Sequence, residues 1–496
     1  MRDPNKSAAT TDPRVSSPTV PSDTNLIPEP AVPRDDDYYK TLYKEELDFG
    51  LLGRRDPQFQ AALERGSHLN FSDASSVMQL TKTVLKLDFG LHVDLPMDRL
   101  CPPVPNRHNY ILWLKDLLDS SSPSYLDSYE PTPQVTGLDI GTGASTIYPL
   151  LGCIQRPSWS FIATDVDAKS LAYARRNVEL NNLQSQIRVV DRTITDYLIP
   201  LDELGLEAID FVMTNPPFYT SEIEMADLAR QKSRPPNSAC TGAPIEMVCA
   251  GGEIGFVRRI IDESLTLRER VRWYTSMLGK QSSLELLIGV LKDHGVTNYA
   301  VTAFVQGNKT RRWAVGWSFG NRRPSLLANR GCEPAGGKKL LPPSTETKLA
   351  IRSMSQVNME QLERAICDTM KTLDLASWTW DKPGSRGVGF VDSNVWSRAY
   401  RRKRGRETTG IANTHLINAD GPSSPKHKQL VQKGDPDIAQ CAFGFSITVQ
   451  VSRGIESNED SITIMARWLQ GNDYTLFESF TGFLRKSIAQ QQQPNP

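Results

Sequence analysis

Cysteine and histidine are scarce in this sequence, and their spacing matches no metal or redox motif. The 496 residues include 7 cysteines and 6 histidines. The cysteines are odd in number, no two stand at metal-ligand or redox spacing, and the histidines do not pair with them. We therefore expect reduced, mostly buried thiols and no bound metal.

Long apolar runs and an excess of one charge are also missing. No apolar stretch approaches the length of a membrane span, and the N-terminus lacks the apolar core of a signal peptide. Lysine plus arginine and aspartate plus glutamate both number 57, but a neutral protein still binds nucleic acid where its basic residues cluster. We expect a soluble intracellular protein without a membrane partner, long enough for two or three domains.

What the chain does contain is a strand, a glycine-rich turn and a helix start in immediate succession. The apolar segment Val135–Ile140 precedes Gly141 and Gly143, and an apolar, helix-like stretch follows at 147–151. Thr146 stands where a dinucleotide fingerprint has its third glycine, so pyrophosphate binding is disfavoured. The turn is typical of a cofactor site at the edge of an open α/β sheet.

A second motif, Asn215-Pro216-Pro217-Phe218, closes the apolar run 209–214 downstream of that turn. An exocyclic amine on a base is a poor nucleophile because its lone pair is delocalised into the ring. The Asn215 oxygen and a backbone carbonyl can accept hydrogen bonds from the two N–H groups of this amine. The two prolines stiffen the loop that carries these acceptors. Phe218 offers a face on which a flipped-out base stacks. The two motifs predict a site that binds an adenosyl cofactor and presents a planar amine to it.

Both motifs have structural alternatives. Asn-Pro is an ordinary turn initiator, and a phenylalanine after a turn usually belongs to the core. Asp165 ends the predicted strand 161–164, where it is placed to bond ribose hydroxyls. A carboxylate in that position is also a common helix N-cap. The order and spacing of the motifs favour the functional interpretation.

The predicted elements indicate a parallel sheet with additions at both ends. Strands at about 135–140, 159–164, 187–190 and 208–214 alternate with helices. A hairpin of Thr297–Val305 and Arg312–Ser318 closes the sheet edge, and the polar loop Thr220–Gly252 is expected to be irregular. We divide the chain into a disordered tail (1–37), an N-terminal module (38–100), a catalytic domain (101–320), a linker (321–355) and an α+β domain (356–490) with a disordered insertion at about 403–437.

Basic residues interleaved with aromatic ones are candidate RNA contacts. They occur near Tyr38, Tyr39 and Tyr43, in the loop after Phe218, and near Trp396 and Tyr400. The candidates are Lys40, Lys44, Arg230, Lys232, Arg234, Arg312, Arg401 and Arg402. A plain amphipathic segment is an equal interpretation of 38–44, and a nuclear-import signal is an equal interpretation of the basic run 398–406.

Several segments together resemble a known family, the methyltransferase-like enzymes that methylate an adenosine of U6 snRNA. Bacterial enzymes that modify an adenosine of the large ribosomal RNA are similar over the same core, about residues 38 to 320. The segments are Leu138–Gly152, Asn215–Phe218, Asp88–Pro105, Arg107–Trp113, Arg272–Tyr274, Met277–Lys280, Gln306-Gly307 and Arg312-Trp313.

The resemblance implies a fold, a cofactor and a substrate. The fold is α/β, a class I Rossmann-like methyltransferase domain with an N-terminal module and a smaller C-terminal α+β RNA-binding domain. The cofactor is S-adenosyl-L-methionine, and the partner is a structured RNA, U6 snRNA, whose adenosine N6 amine is methylated. Arg107 then lies at the cofactor's carboxylate and Thr193 contacts the cofactor. Cofactor-binding residues are Arg107, Asp139, Gly141, Ser145, Asp165, Thr193 and Asn215.

Three other functions remain open from the sequence. A protein glutamine methyltransferase shares an Asn-Pro-Pro-aromatic loop because an amide is also a planar amine. A DNA adenine methyltransferase and an RNA-binding protein that has lost turnover are the others. The extra basic segments disfavour the first, and the intact set Asp139, Gly141, Asp165 and Asn215 disfavours the last. We expect a monomer in the nucleus, with the cytoplasm as the alternative.

Overall fold

The structure, a computed structural model, describes residues 34–65, 67–231, 242–306, 310–353, 358–404, 438–452 and 461–490. The candidate RNA contacts Lys232 and Arg234 therefore lie outside the described residues, as does most of the predicted insertion at 403–437.

The N-terminal module consists of short helices and a two-stranded hairpin. Its elements are α1 (Asp36–Thr41), α2 (Phe49–Arg55), α3 (Pro57–Ala62), β1 (Leu63–Glu64), β2 (His68–Leu69) and α4 (Ala74–Val84), which continues into a π-helical turn at Leu85–Phe89. Each helix begins after an aspartate whose carboxylate accepts a hydrogen bond from a backbone N–H of the first turn. These N-caps satisfy donors that a short helix would otherwise leave unpaired.

Helix α1 corrects the end of the predicted disordered tail. Asp36 was assigned to that tail because the segment has few apolar side chains, but its carboxylate pairs with Lys115 Nζ at 2.8 Å and with Arg156 Nη1 at 2.6 Å. Both basic side chains are only 2 % exposed. Ion pairs to buried charges, which no local pattern reveals, therefore order the start of the module.

The catalytic domain is built on a seven-stranded mixed sheet. Its helices are α5 (Val104–Ser120), α6 (Ile147–Gln155), α7 (Ala168–Leu180), α8 (Glu222–Gln231), α9 (Pro244–Met247), α10 (Gly252–Leu267), α11 (Gln281–Asp293) and α12 (Leu326–Asn329). Its strands are β3 (Val135–Ile140), β4 (Trp159–Asp165), β5 (Ile187–Asp191), β6 (Ile209–Thr214), β7 (Val271–Leu278), β8 (Tyr299–Gln306) and β9 (Thr310–Trp317). The strand order is β5-β4-β3-β6-β7-β9-β8. Only β9 runs antiparallel to its neighbours β7 and β8, so the predicted parallel sheet closed by a hairpin is confirmed.

The topology brings the two sequence motifs together. The chain leaves β3 toward one edge of the sheet through β4 and β5, and then returns to β6 on the other side of β3. Ile140 and Thr214, the last residues of β3 and β6, are paired in register. Ligands of open α/β sheets bind at such a switch point, beyond the carboxyl ends of the strands. The glycine turn and the Asn215 loop both begin there.

Two apolar cores lie on the two faces of this sheet. Helices α5 and α6 pack on one face and α10 and α11 on the other, each contributing apolar side chains to the core on its face. The segment after Phe218, expected to be irregular, contains helices α8 and α9, because apolar residues recur at helical spacing despite its polar composition. No helix in the described part of the chain is long and apolar enough to cross a membrane.

The C-terminal domain is a five-stranded antiparallel sheet with helices. Its elements are β10 (Glu346–Ser353), α13 (Met359–Lys371), β11 (Ser377–Asp381), β12 (Arg386–Val391), α14 (398–404), β13 (Phe443–Ser452), β14 (Ser461–Gln470) and α15 (Tyr474–Gln490). The strand order is β10-β14-β13-β12-β11. Phenylalanines from β13 and α15 form its core. The predicted α+β character is confirmed.

Two strands of this sheet were missed by the sequence reasoning. Strand β10 lies inside the predicted linker 321–355 and pairs with β14 from Glu346 to Ser353. Strand β12 contains two glycines, Gly387 and Gly389, which strand propensities disfavour. A side chain at Gly387 would lie 2.1 Å from the Trp378 ring, so the neighbouring aromatic side chain requires the glycine there.

The two sheets are joined at the far end of α5. Arg467 of β14 donates to the Ser120 carbonyl at 2.7 Å, and Arg386 of β12 donates to the Tyr125 carbonyl at 2.6 Å. Arg323 donates to the Gly471 carbonyl at 2.8 Å. Helix α5 has 17 residues, so its two ends are about 25 Å apart at 1.5 Å per residue. The C-terminal domain is therefore attached far from Arg107, which lies in the first turn of α5.

Candidate active site

A cleft opens where β3 and β6 end. It encloses about 1040 Å³ of empty space, part of it open to solvent. Six of the seven predicted cofactor residues line it: Arg107, Gly141, Ser145, Asp165, Thr193 and Asn215. Pro217 of the tetrapeptide lines it as well, whereas Asp139, Pro216 and Phe218 are not among its lining residues.

The glycine turn leaves room for a ligand at the backbone. Gly141 and Gly143 have φ angles of 74° and 65°, a left-handed conformation that glycine adopts at little cost. No atom lies within 4 Å of a carbon added at Gly141. Thr146, which replaces the third glycine of a dinucleotide fingerprint, is also left-handed, with φ of 51°. The turn keeps the shape of a cofactor loop without that glycine.

Asp139 is a fully buried carboxyl in β3. Neither of its oxygens has a hydrogen-bond partner of good geometry among the described residues. Burial raises the pKa of Asp139 to about 7, because the charged form loses its hydration, while the Thr142 hydroxyl and the Arg107 guanidinium oppose that rise. A buried acceptor without a donor is costly, and a cofactor that donates a hydrogen bond would remove that cost.

Arg107 is held in the cleft by an aromatic ring and a thioether. Its Nη1 donates to the Tyr148 hydroxyl at 2.9 Å and lies 3.1 Å from the Met277 sulfur, while the guanidinium lies 5.5 Å from the Tyr148 ring centre. The side chain is nearly buried. Among the described residues no carboxylate forms an ion pair with Arg107, so its charge suits an anionic group of a ligand.

Asp165 organises the glycine turn rather than capping a helix. Its Oδ2 accepts from Gly143 N–H at 2.8 Å, and its Oδ1 accepts from Val166 and Asp167 N–H at 2.8 and 2.9 Å. The N-cap of α7 is Asp167, whose side chain accepts from Ser170 N–H, so the helix-cap alternative for Asp165 is wrong. Burial raises the pKa of Asp165, and its three backbone donors oppose that rise.

Ser145 and Thr193 both line the cleft. Ser145 is buried behind the glycine turn. Thr193 is exposed on the loop after β5, where its hydroxyl donates to Asp196 Oδ1 and its N–H donates to Asp196 Oδ2, both at 2.7 Å. Thr193 lines the cleft, so the predicted contact with the cofactor is geometrically available.

The Asn215 loop presents an unpaired amide oxygen. Asn215 Oδ1 is buried and has no hydrogen-bond partner among the described residues. Pro216 is buried, Pro217 and Phe218 are half-buried, and Tyr219 returns the chain to Val248 through a short parallel bridge. The loop is therefore anchored on both sides while the Asn215 acceptor is left free.

The Phe218 ring is held between a glycine and an arginine. A carbon added at Gly279 would lie 2.8 Å from Phe218 Cδ1, so no side chain fits there without moving the ring. The Arg312 guanidinium lies 5.6 Å from the ring centre. Burial lowers the pKa of Arg312, the nearby Arg107 lowers it further, and Glu253 opposes the change. Arg312 is thus the predicted RNA contact that the structure places at the site.

The other predicted RNA contacts lie on separate elements. Lys40 and Lys44 are exposed on and just after α1, and Arg401 and Arg402 are exposed on α14. The Arg401 guanidinium lies 5.9 Å from the Phe483 ring centre. Arg230 belongs to α8. Of these, Lys40, Lys44, Arg401 and Arg402 do not line the cleft described above.

Among the cleft residues that sequence reasoning missed are Tyr148 and Glu246. Glu246 Oε2 accepts from Leu100 N–H at 2.9 Å and from Ala243 N–H at 2.8 Å. It thereby ties α9 to the segment before α5, and burial raises the pKa of Glu246. Glu246 stands outside both motifs, so no local pattern indicated it. In the part of the chain that the structure covers, no three histidine, cysteine, aspartate or glutamate side chains are grouped to hold a metal ion.

The strand order, the open turn at Gly141 and the carboxylate at the end of β4 define the class: this is a class I, Rossmann-like methyltransferase. The family described as RNA methyltransferase matches residues 38–321. The chain belongs to that family. Its cofactor is S-adenosylmethionine, which supplies a methyl group on a sulfonium centre. The predicted family, fold class, enzyme class and cofactor are confirmed.

Similar proteins extend the match beyond the catalytic domain. A U6 small nuclear RNA (adenine-(43)-N(6))-methyltransferase of Schizosaccharomyces pombe is 32% identical over 86% of this chain and 96% of its own length. The RNA N(6)-adenosine-methyltransferase mettl16 of Danio rerio is 34% identical over 91% and 97%. A crystal structure of the N-terminal domain of human METTL16 in complex with SAH is 40% identical, with a TM-score of 0.46, and covers 56% of this chain and 96% of that one.

Proposed function

We propose that this enzyme methylates the exocyclic N6 amine of one adenosine in U6 snRNA. The observation that carries the proposal is the buried, unpaired Asn215 oxygen beside the cofactor cleft, two prolines before the Phe218 ring. The names of the two similar proteins, an adenine-N6 methyltransferase of U6 snRNA and an RNA N6-adenosine methyltransferase, support the same chemistry.

The cofactor is held by residues with complementary chemistry. Arg107 binds its carboxylate, because the guanidinium is nearly buried and its contacts are a hydroxyl, a thioether and a ring. Asp165 bonds the ribose hydroxyls through lone pairs that its backbone donors leave free. Asp139 accepts a hydrogen bond from the cofactor, and Gly141 admits it to the backbone. Ser145 and Thr193 complete the wall.

The target base is held by the tetrapeptide. Asn215 Oδ1 and the Pro216 carbonyl accept hydrogen bonds from the two N–H groups of the amine. These bonds reduce the delocalisation of the nitrogen lone pair into the ring and direct the lone pair at the methyl group. Phe218 stacks on the base, and Arg312 lies within reach of the same ring. Because methyl transfer is an in-line displacement, positioning supplies most of the acceleration. The amine's proton leaves after the bond has formed, so no strong general base is required.

RNA is bound by surfaces on both sides of the catalytic domain. Lys40 and Lys44 contact phosphates from the N-terminal module, and Arg230, Lys232 and Arg234 do so from the segment after Phe218. Arg401 and Arg402 contact phosphates from the C-terminal domain. That domain is attached at the end of α5 that is about 25 Å from Arg107. A substrate that contacts both the cleft and the C-terminal domain therefore extends well beyond the target nucleotide.

The protein acts in the nucleus, where a U6 snRNA substrate is found, and it acts as a monomer. The exposed basic run that begins on α14 serves either RNA binding or nuclear import. Charge-neutral substitutions at Arg401 and Arg402 separate these roles, since an import signal affects location in the cell without changing RNA affinity in solution.

The decisive experiment is mass spectrometry of purified small nuclear RNAs after deletion of this protein. We expect U6 snRNA to lose one N6-methyladenosine, and wild-type protein, but not the Asn215→Ala variant, to restore it. In parallel, purified enzyme and labelled cofactor are offered RNA and protein fractions. Label in protein glutamine would favour the alternative methyltransferase, and cofactor binding without any product would favour an inactive RNA-binding protein.

A further inference from the structure

Glu253 is a buried carboxylate beside the Phe218 ring that neither sequence motif includes. It lies in the first turn of α10 and is 3 % exposed. Its Oε2 accepts from Gly279 N–H at 2.6 Å, while its Oε1 is buried without a hydrogen-bond partner among the described residues. Burying a carboxylate with one oxygen unpaired is costly, so stability alone does not account for this residue.

The hydrogen bond from Gly279 N–H to Glu253 Oε2 is short, at 2.6 Å. The acceptor lies in the first turn of α10, where an acidic side chain is stabilised by the partial positive charge of the helix N-terminus. Gly279 directly follows β7, so this bond fixes the turn that leaves the central sheet.

The same turn contacts the stacking ring. A carbon added at Gly279 would lie 2.8 Å from Phe218 Cδ1 and 3.2 Å from Glu253 Oε2. Gly279 therefore lies between the Phe218 ring and the Glu253 carboxylate. The start of α10 also contacts the loop backbone, because a carbon added at Gly252 would lie 3.2 Å from the Phe218 carbonyl oxygen.

We propose that Glu253 is a positioning residue for the target base: it fixes the Gly279 amide against Phe218 and thereby sets the plane on which the flipped adenine stacks. Arg312 bounds the ring at a distance of 5.6 Å, so a shift of Gly279 leaves Phe218 loose on one side. This role rests on the proposed function, in which Phe218 stacks on the base. It requires no contact between Glu253 and substrate.

The test uses the full chain and a synthetic U6 snRNA hairpin that carries 2-aminopurine at the target position. Its fluorescence reports stacking, and Phe218→Ala defines the unstacked signal. We expect Glu253→Ala to shift emission toward that of Phe218→Ala and to lower kcat on the unmodified hairpin at least tenfold. The KM for S-adenosylmethionine should stay within twofold of wild type, because Glu253 does not line the cofactor cleft.

Two further variants separate the hydrogen bond from the fold. Glu253→Gln keeps an acceptor for Gly279 N–H and should restore emission and bring kcat to within threefold of wild type. Glu253→Asp keeps the charge but is one methylene too short, so it should behave like Glu253→Ala, and it decides the case if the alanine variant does not fold. The control is Glu285→Gln, because Glu285 also accepts from a glycine amide, Gly336 N–H at 3.0 Å, away from the cleft.

Wild-type emission and kcat in Glu253→Asp or Glu253→Ala, with only a lower Tm, would overturn the proposal. So would a loss of activity that arises entirely from a raised KM for the cofactor. If wild-type enzyme methylated no adenosine in the hairpin, the proposed function would fail instead. In that case all variants would be inactive alike, and the emission series alone would decide whether Glu253 orients Phe218.

Discussion

The Asn215→Ala substitution separates chemistry from folding because the Asn215 oxygen is bonded to none of the residues that the structure describes. The oxygen is buried and unpaired among the described residues, so its removal breaks no hydrogen bond of the fold. We expect the free energy of unfolding to change by less than about 1 kcal/mol, since the unmade bond contributes nothing and a desolvated acceptor is removed.

Turnover should fall far more than stability. In the proposed geometry Asn215 supplies one of the two hydrogen-bond acceptors that hold the target amine. That hydrogen bond forms only when the amine nitrogen is in position to accept the methyl group. Loss of one well-placed catalytic hydrogen bond costs about 2.7–4 kcal/mol, a factor of roughly 10²–10³ in kcat. The Kd for RNA should remain close to wild type, and the KM for S-adenosylmethionine should change far less than kcat, because Asn215 is only one of several residues that line the cofactor cleft.

The assay is single-turnover methylation of a U6 snRNA hairpin with labelled cofactor, alongside thermal unfolding. Asn394→Ala is the matched control, because Asn394 Oδ1 is also buried and unpaired but lies in the C-terminal domain. It should leave kcat unchanged. Wild-type methylation by Asn215→Ala would refute the assigned role, and unfolding of Asn215→Ala but not of Asn394→Ala would make the loop a structural turn.

Three other predictions concern cofactor, pH and RNA. Asp165→Ala should raise the KM for S-adenosylmethionine more than it lowers kcat, since a ribose contact acts in ground-state binding. If the variant bound the cofactor as tightly as wild type, Asp165 would not be a ribose contact. Burial raises the pKa of Asp139 to about 7, above its value in the unfolded chain. The folded protein without cofactor therefore binds more protons, and its stability should decrease as pH rises from about 4 to 7. Asp139→Asn should flatten that slope in thermal unfolding, and an unchanged slope would contradict it. Substituting Arg401 and Arg402 by glutamine should lower the salt slope of RNA binding by about 1.8 without lowering kcat at saturating RNA; an unchanged slope would leave α14 to nuclear import.

Local sequence patterns were sufficient to predict the central strands of the catalytic domain and its two motifs. Strands 135–140 and 208–214 were predicted within one residue of β3 and β6, because apolar runs that end in glycine or proline turns are local signals. The two motifs followed from the chemistry of single residues. Their meeting at one cleft also followed, since parallel strands separated by helices place their carboxyl ends at the same edge of a sheet.

Long-range pairing decided what the sequence could not. Asp36 reads as part of a disordered tail until Lys115 and Arg156 are seen to pair with it. Strand β10 reads as linker until β14 lies beside it, more than 100 residues further along the chain. The reason is physical: an ion pair or a strand ladder depends on a partner that only the folded chain brings near, whereas helix and turn signals lie within a few neighbouring residues.

The same distinction divides the site. Asn215 and Gly141 carry their roles in their own chemistry and backbone conformation, so the sequence by itself identified them. Glu253 has its role only because α10 places its carboxylate 2.6 Å from the Gly279 amide and Gly279 touches Phe218. A buried carboxylate is indistinguishable from an exposed one in sequence, and burial and partners are properties of the tertiary structure alone.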